Sequence, residues 1–152
     1  MISPEHCAQS ATRVRRLLEE VCNRGNLAVL PDVVGATALE QLRALLLLVQ
    51  HIVPDARWTV EEQICEGDTV VTRLSVHGTF RGTLLGLAPP GRTATVTGVV
   101  ITGFEGERIV RMWSQADLLG LLQQLAVMPR LDLVHAVAVA HMAWVGKAWS
   151  WG

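Results

Sequence analysis

Apolar positions recur at helical spacing in the first third of the chain, and the period then changes to two. Val14, Leu17, Leu18, Val21 and Cys22 form one stripe with arginines and glutamates opposite, which predicts an amphipathic helix. Ser3-Pro4-Glu5 suits its start: a capping hydroxyl, a proline at the first helical position and an acid at the positive end of the dipole. Asn23-Arg24-Gly25-Asn26 stops it, with Gly25 suited to the left-handed residue that follows a helix. Leu27 to Gly35 has room for a helical turn. A second helix is expected from Thr37 to Ile52, with Leu39, Leu42, Leu46 and Val49 as its inner stripe. Leu45, Leu47 and Leu48 widen that stripe, so this helix should be buried on more than one side. Pro54-Asp55 ends it.

From Trp58 the alternation predicts strands at Trp58–Cys65, Thr69–Phe80, Thr93–Phe104 and Arg108–Ala116. Short turns join the first pair at Glu66-Gly67-Asp68 and the last pair at Glu105-Gly106-Glu107; an apolar loop, Gly82 to Gly91, links the middle two. Short connections imply an antiparallel meander. Helices first and sheet second give an α+β fold with the helices on one face of the sheet. A third helix is expected from Leu118 to Val127, closed by Met128-Pro129. Leu131 to Trp149 reads as an extra C-terminal helix. Asp132, His135, His141 and Lys147 interrupt it, which argues against a membrane span and for a lid or dimer element. Residues 1–130 are thus expected to be one domain, and 131–152 an apolar helical extension packed on that domain or on a dimer partner.

A chain of 152 residues suits one domain, and at this size folding buries about 68–70% of the exposed surface of the unfolded chain. Half the residues are hydrophobic and 18% charged, so some apolar surface is expected to face a ligand or a second subunit. The formal net charge is −1 and no basic run tracks along the chain, which argues against nucleic acid. Residues 1–20 carry charges that a signal peptide would lack. Cys7, Cys22 and Cys65, odd in number and widely spaced, read as reduced thiols of a cytoplasmic protein rather than a disulfide framework or a metal site.

Asp117 stands at the junction between the last strand and the helix that follows, in an apolar neighbourhood. Burial there would raise its pKa toward the range of a working base. Capping the helix at Leu118 is the competing role, and it would lower the pKa. Alternation sends Arg111, Trp113, Gln115 and Asp117 to one face of the strand, and Val110, Met112, Ser114 and Ala116 to the other. Trp113 and Gln115 would then line the same wall as Asp117, unless that mixed face meets solvent or a second subunit. Arg73, Ser75 and His77 share a face of the second strand, and His77 is a candidate to protonate an alkoxide or stabilise an enolate. Trp58, Phe80, Trp144, Trp149 and Trp151 are candidate pocket walls or plain core.

Several segments resemble the SnoaL-like polyketide cyclases, or ester cyclases, of the nuclear-transport-factor-two-like fold. They run in order: Val14-Arg15-Arg16-Leu17-Leu18-Glu19-Glu20-Val21 through Asn26-Leu27; Pro54-Asp55-Ala56-Arg57-Trp58-Thr59-Val60-Glu61; Glu66-Gly67-Asp68-Thr69-Val70-Val71-Thr72-Arg73; Gly78-Thr79 with Leu85-Gly86-Leu87-Ala88-Pro89-Pro90-Gly91-Arg92; and Asp117-Leu118-Leu119-Gly120-Leu121-Leu122-Gln123-Gln124-Leu125. The resemblance covers most of residues 13–129. It implies a cone-shaped α+β barrel, a curved antiparallel sheet wrapped on N-terminal helices around a ligand pocket, and a homodimer.

The implied reaction is a cofactor-independent, metal-free intramolecular aldol closure on a polyketide-derived, apolar or aromatic intermediate in secondary metabolism. A base takes a proton from carbon activated by carbonyls; the enolate attacks a second carbonyl, whose oxygen is then protonated. Asp117, His77 and Gln115 are the expected catalytic set, with Trp113, Arg73, Trp58, Phe80 and Ser114 contacting substrate. The chain departs from the family at three places. The polar segment between the first two helices is missing from Asn26–Leu39. Phe80 stands where a histidine is common, and Ser114 where a carboxylate often follows the tryptophan. Epoxide opening, spirocyclisation or cofactor-free oxygenation in the same pocket is therefore an alternative, as is a non-catalytic ligand-binding or dimerisation module.

Overall fold

The computed structural model of the chain describes residues 4–84, 86–88 and 90–126. Helix α1 spans Pro4–Leu17, and its last turn widens into a π turn over Leu18–Asn23. A 3-10 turn at Leu27–Val29 leads into the short α2, Leu30–Val33. Helix α3 spans Ala36–Ile52. Strands β1 (Arg57–Glu66), β2 (Thr69–Thr79), β3 (Thr93–Glu105) and β4 (Arg108–Ala116) follow, then α4 (Leu118–Gln124). The strands pair antiparallel in the order β1-β2-β3-β4. The expected α+β fold is therefore present, with element ends within a residue or two of those read from periodicity, except that the helix expected over Leu118–Val127 ends at Gln124. The expected Leu131–Trp149 helix, the 131–152 extension, His135, His141, Trp144, Trp149 and Trp151 lie outside the described residues.

The sheet's inner face carries Val70, Thr72, Leu74 and Val76 of β2, all buried. The register puts Thr102, Val100, Gly98 and Val96 of β3 beside them, then Met112, Ser114 and Ala116 of β4. Bulges at Val60/Glu62 and at Gly103/Phe104 break the ladder, and an unpaired residue bends its strand and increases the local twist. Such bending curves the sheet around the helices. The outer face carries a row running across all four strands, Ile64, Val71, Ile101 and Trp113, whose two end members are exposed.

Two apolar clusters hold the layers together, one at each end of the sheet. In the first, Val14, Leu17 and Val21 of α1 and its π turn meet Leu30, Val33, Val34, Phe104 and Ile109. Each such side chain contributes roughly 1.5–3 kcal/mol on burial. Gly35 ties this end to β4, its N–H donating to the Ile109 carbonyl at 2.8 Å. The second cluster joins Ile52 and Val53 to Phe80, Ala94, Leu121 and Leu125. Filling both ends leaves the middle, between α3 and the sheet, to be occupied by something else.

The cysteine expectation is corrected. Cys7 and Cys65 form a disulfide, 58 residues apart in sequence with Cα atoms 5.7 Å apart. Only packing of the start of α1 against the end of β1 brings them together, and spacing along the chain carries no trace of that. Cys22 remains a free thiol. Among the described residues no helix is long and apolar enough to cross a membrane.

Candidate active site

The unfilled middle is a chamber of about 220 Å³. Leu45, Leu48, Val49 and Ile52 of α3 form one wall; Leu74, Val76, Val96 and Val100 of the sheet form the other. One flank of α3 thus enters the core and another faces the hollow, whereas Leu47, expected to be buried, is 58% exposed. Phe80, Leu84, Leu118 and Leu121 close one end, and Trp58 stands at the side. Ser114, Gln115 and Ala116 complete the lining along β4. Among the described residues no carboxylate, imidazole, amine or guanidinium lines it.

The sequence-predicted residues divide into two groups. Trp58, Phe80, Ser114 and Gln115 border the chamber. Ser114 does so because its partner in register is Val100, an inward residue. Gln115 belongs by alternation to the outward set and borders the chamber at the strand end. Arg73, His77 and Trp113 lie on the outer face and do not join the group. Arg73 pairs across the strands with Glu62, Nε to Oε2 at 3.4 Å. His77 Nδ1 and the Thr95 hydroxyl are 2.9 Å apart. Trp113 is 55% exposed. The mixed face of β4 thus meets solvent, and the smaller Met112-Ser114-Ala116 face meets the helices and the hollow.

Asp117 sits at the rim between two chamber residues, Ala116 and Leu118. It is exposed, and its carboxylate caps α4, with Oδ1 accepting from the Gly120 N–H at 2.8 Å. Its own N–H donates to the Thr97 carbonyl at 2.9 Å, which fixes the junction to β3. The Asp117 carboxylate lies against the Gly120 Cα, so a side chain at Gly120 would require the carboxylate to shift. The capping role is therefore occupied, and the expected burial of the carboxylate is absent.

Two clamps at the open end are not legible from periodicity. The Asn23 amide brackets the Trp58 backbone: Nδ2 donates to Trp58 O at 3.0 Å, and Oδ1 accepts from Trp58 N at 2.8 Å. Asp55 accepts from the Thr79 N–H at 2.7 Å and from its hydroxyl at 2.8 Å. These bonds hold the Asp55 carboxyl below the usual carboxylate range, the backbone N–H having the larger effect. Asn23 lies in a turn and Asp55 follows a proline, positions where such residues usually serve the local backbone, so sequence pattern gave no reason to pair them with partners 35 and 24 residues away.

A family model described as SnoaL-like polyketide cyclase matches residues 12–125. No curated protein matches in sequence. Solved structures share the fold. The chain is similar to TsrD from Streptomyces laurentii, with 24% identity, a TM-score of 0.73 and coverage of 84% of this chain and 100% of the other. It is similar to AclR from Streptomyces galilaeus, described as a candidate hydroxylase, with 19% identity, a TM-score of 0.73 and coverage of 96% and 99%. It is also similar to IdmH from Streptomyces antibioticus, described as a candidate polyketide cyclase, with 25% identity, a TM-score of 0.69 and coverage of 78% and 99%.

Proposed function

The chain belongs to the SnoaL-like polyketide cyclase family, and from that premise we propose that it closes a ring on a polyketide-derived intermediate by aldol-type acid–base chemistry without a cofactor. The observation that carries this reading is the apolar chamber between α3 and the inner sheet face. An apolar hollow favours a flexible polycarbonyl chain folded on itself, so the entropy of closure is met by binding. Carbon flanked by carbonyls is acidic enough for one carboxylate to deprotonate. Asp117 is the described carboxylate whose two chain neighbours both line the chamber, and it is assigned the base. The Ser114 hydroxyl is assigned the developing oxyanion. Trp58 and Phe80 are assigned to hold the substrate's apolar body.

A second reading has a specific observation behind it: the described lining holds no titratable side chain. A ligand-binding module needs none. One experiment separates the readings: incubation with a linear poly-β-ketone thioester analogue, with products identified by mass spectrometry. Ring closure gives a product of unchanged mass or one lighter by water. A product heavier by oxygen replaces aldol closure with oxygenation. Saturable binding with no new product leaves the binding module.

A further inference from the structure

The hollow beside α3 is not a single space. Next to the chamber lies a cavity of about 370 Å³, bounded by the turn after α1, the C-terminal end of α3 and the start of β1. Asn23, Arg24, Gln50, Asp55 and Arg57 make its wall polar where the chamber is apolar. Val49, Val53 and Trp58 border both spaces. Trp58 also borders a void of about 40 Å³ in the helix–sheet core. Among the described residues it is the one common to all three, and the Asn23 amide fixes its backbone from both sides.

The charged groups of the polar cavity are unequally committed. Arg24 is held by Glu20 at 2.9 Å and Glu19 at 3.3 Å, and Asp55 by Thr79. Arg57 makes one long hydrogen bond, Nη1 to the Asn23 carbonyl at 3.4 Å, and its charge also acts on Glu19 without a hydrogen bond between them; a guanidinium has five N–H donors arranged to take a carboxylate in a fork.

We propose that Trp58 divides a two-compartment ligand site, and that the ligand is an amphiphile with an apolar fused-ring body in the chamber and an acidic tail passing the indole to Arg57. This rests on the chamber being the substrate site. A dry apolar cavity of about 150 Å³ takes benzene, so a chamber of this size takes a body of about two fused rings. The acidic tail adds modest affinity, and an equally modest preference over neutral analogues, because Arg57 is exposed and screened.

Titration calorimetry of the whole chain with naphthylpentanoic acid and with its methyl ester tests this. The acid is expected to bind about fivefold more tightly. Arg57→Gln is expected to abolish that difference and leave the ester's affinity unchanged. Trp58→Ala joins the compartments and admits a pyrenyl analogue that the wild type excludes; Trp58→Phe keeps an aromatic wall and admits it partially, so loss of fold in the first variant does not hide the result. Equal binding of acid and ester, a difference that survives Arg57→Gln, or exclusion of the pyrenyl analogue by folded variants overturns the two-compartment site alone. Failure of both naphthyl probes to bind the wild type overturns the chamber as substrate site as well.

Discussion

Asp117 carries two assignments, base and helix cap, and two substitutions separate them. Asp117→Ala removes the 2.8 Å bond to the Gly120 N–H. A lost N-cap costs about 1 kcal/mol. Helix α4 has only seven residues, anchored by buried Leu121 and Leu125, so little else compensates at its first turn. For a chain of this length that cost lowers Tm by roughly 2–4 °C. Asp117→Asn keeps the cap, because asparagine caps about as well as aspartate. It loses only the carboxylate's attraction to the helix N-terminus, about 0.3–1 kcal/mol, with the low end appropriate to an exposed site. If the carboxylate also takes the substrate proton, both variants lose turnover by about 10²–10⁴-fold. Stability then ranks wild type, Asn, Ala in descending order, while turnover drops equally in both variants. Thermal melts by circular dichroism and steady-state turnover on the same preparations read the two scales. Wild-type turnover in Asp117→Asn would show that this residue is a cap and nothing more, and would remove the base from the proposed mechanism.

Three further outcomes are expected. The depressed Asp55 carboxyl contributes stability that is fully present above its unfolded value of 3.8 and is lost as pH falls through the lower folded value; Asp55→Asn should flatten the acid limb of the melting profile, and an unchanged limb would show the Thr79 clamp to be immaterial. Burial pushes the Cys22 thiol up to about 12, so its contribution is complete below the unfolded value of 9.0 and fades only as pH rises toward 12. Iodoacetamide at pH 8 should therefore leave Cys22 unlabelled until denaturant is added, as peptide mass mapping would reveal. A Cβ at Gly82 would stand 2.6 Å from the His51 carbonyl oxygen and 2.7 Å from the Ile52 Cα; Gly82→Ala should lower stability by about 1–3 kcal/mol in urea unfolding, and a neutral result would mean that the loop shifts freely.

The framework was legible because two periods write it plainly. The Val14–Val21 stripe and the alternation of β2 gave both the elements and the buried faces. Alternation also gave the two sets on β4 correctly, Arg111-Trp113-Gln115-Asp117 against Met112-Ser114-Ala116. It did not say which set faces the hollow, because a period of two is symmetric until a second layer is placed. The register with Val100 and Thr102 breaks that symmetry, and it is a long-range property. The disulfide and the Asn23 and Asp55 clamps escaped for the same reason: each joins residues that only the finished packing makes neighbours. The expectation that Leu45, Leu47 and Leu48 of α3 are buried holds only in part: Leu45 and Leu48 line the cavity, but Leu48 is 55% and Leu47 58% exposed, because a helical stripe does not say how far the covering layer reaches.

The Cys7–Cys65 bond closes a covalent ring of chain that contains α1 from Cys7 onward, α2, all of α3 and nearly all of β1. One wall of the chamber therefore belongs to a cyclised segment whose ends cannot separate, while the opposite rim, from Ala116 through α4, hangs on a hairpin and a short helix outside that ring. A single proteolytic nick between Gly25 and Gly35 would leave the molecule in one piece on a non-reducing gel and in two on a reducing one. Parting the two ends of the α3 wall segment requires reduction of that bond, whereas the rim can part from the wall with no covalent change.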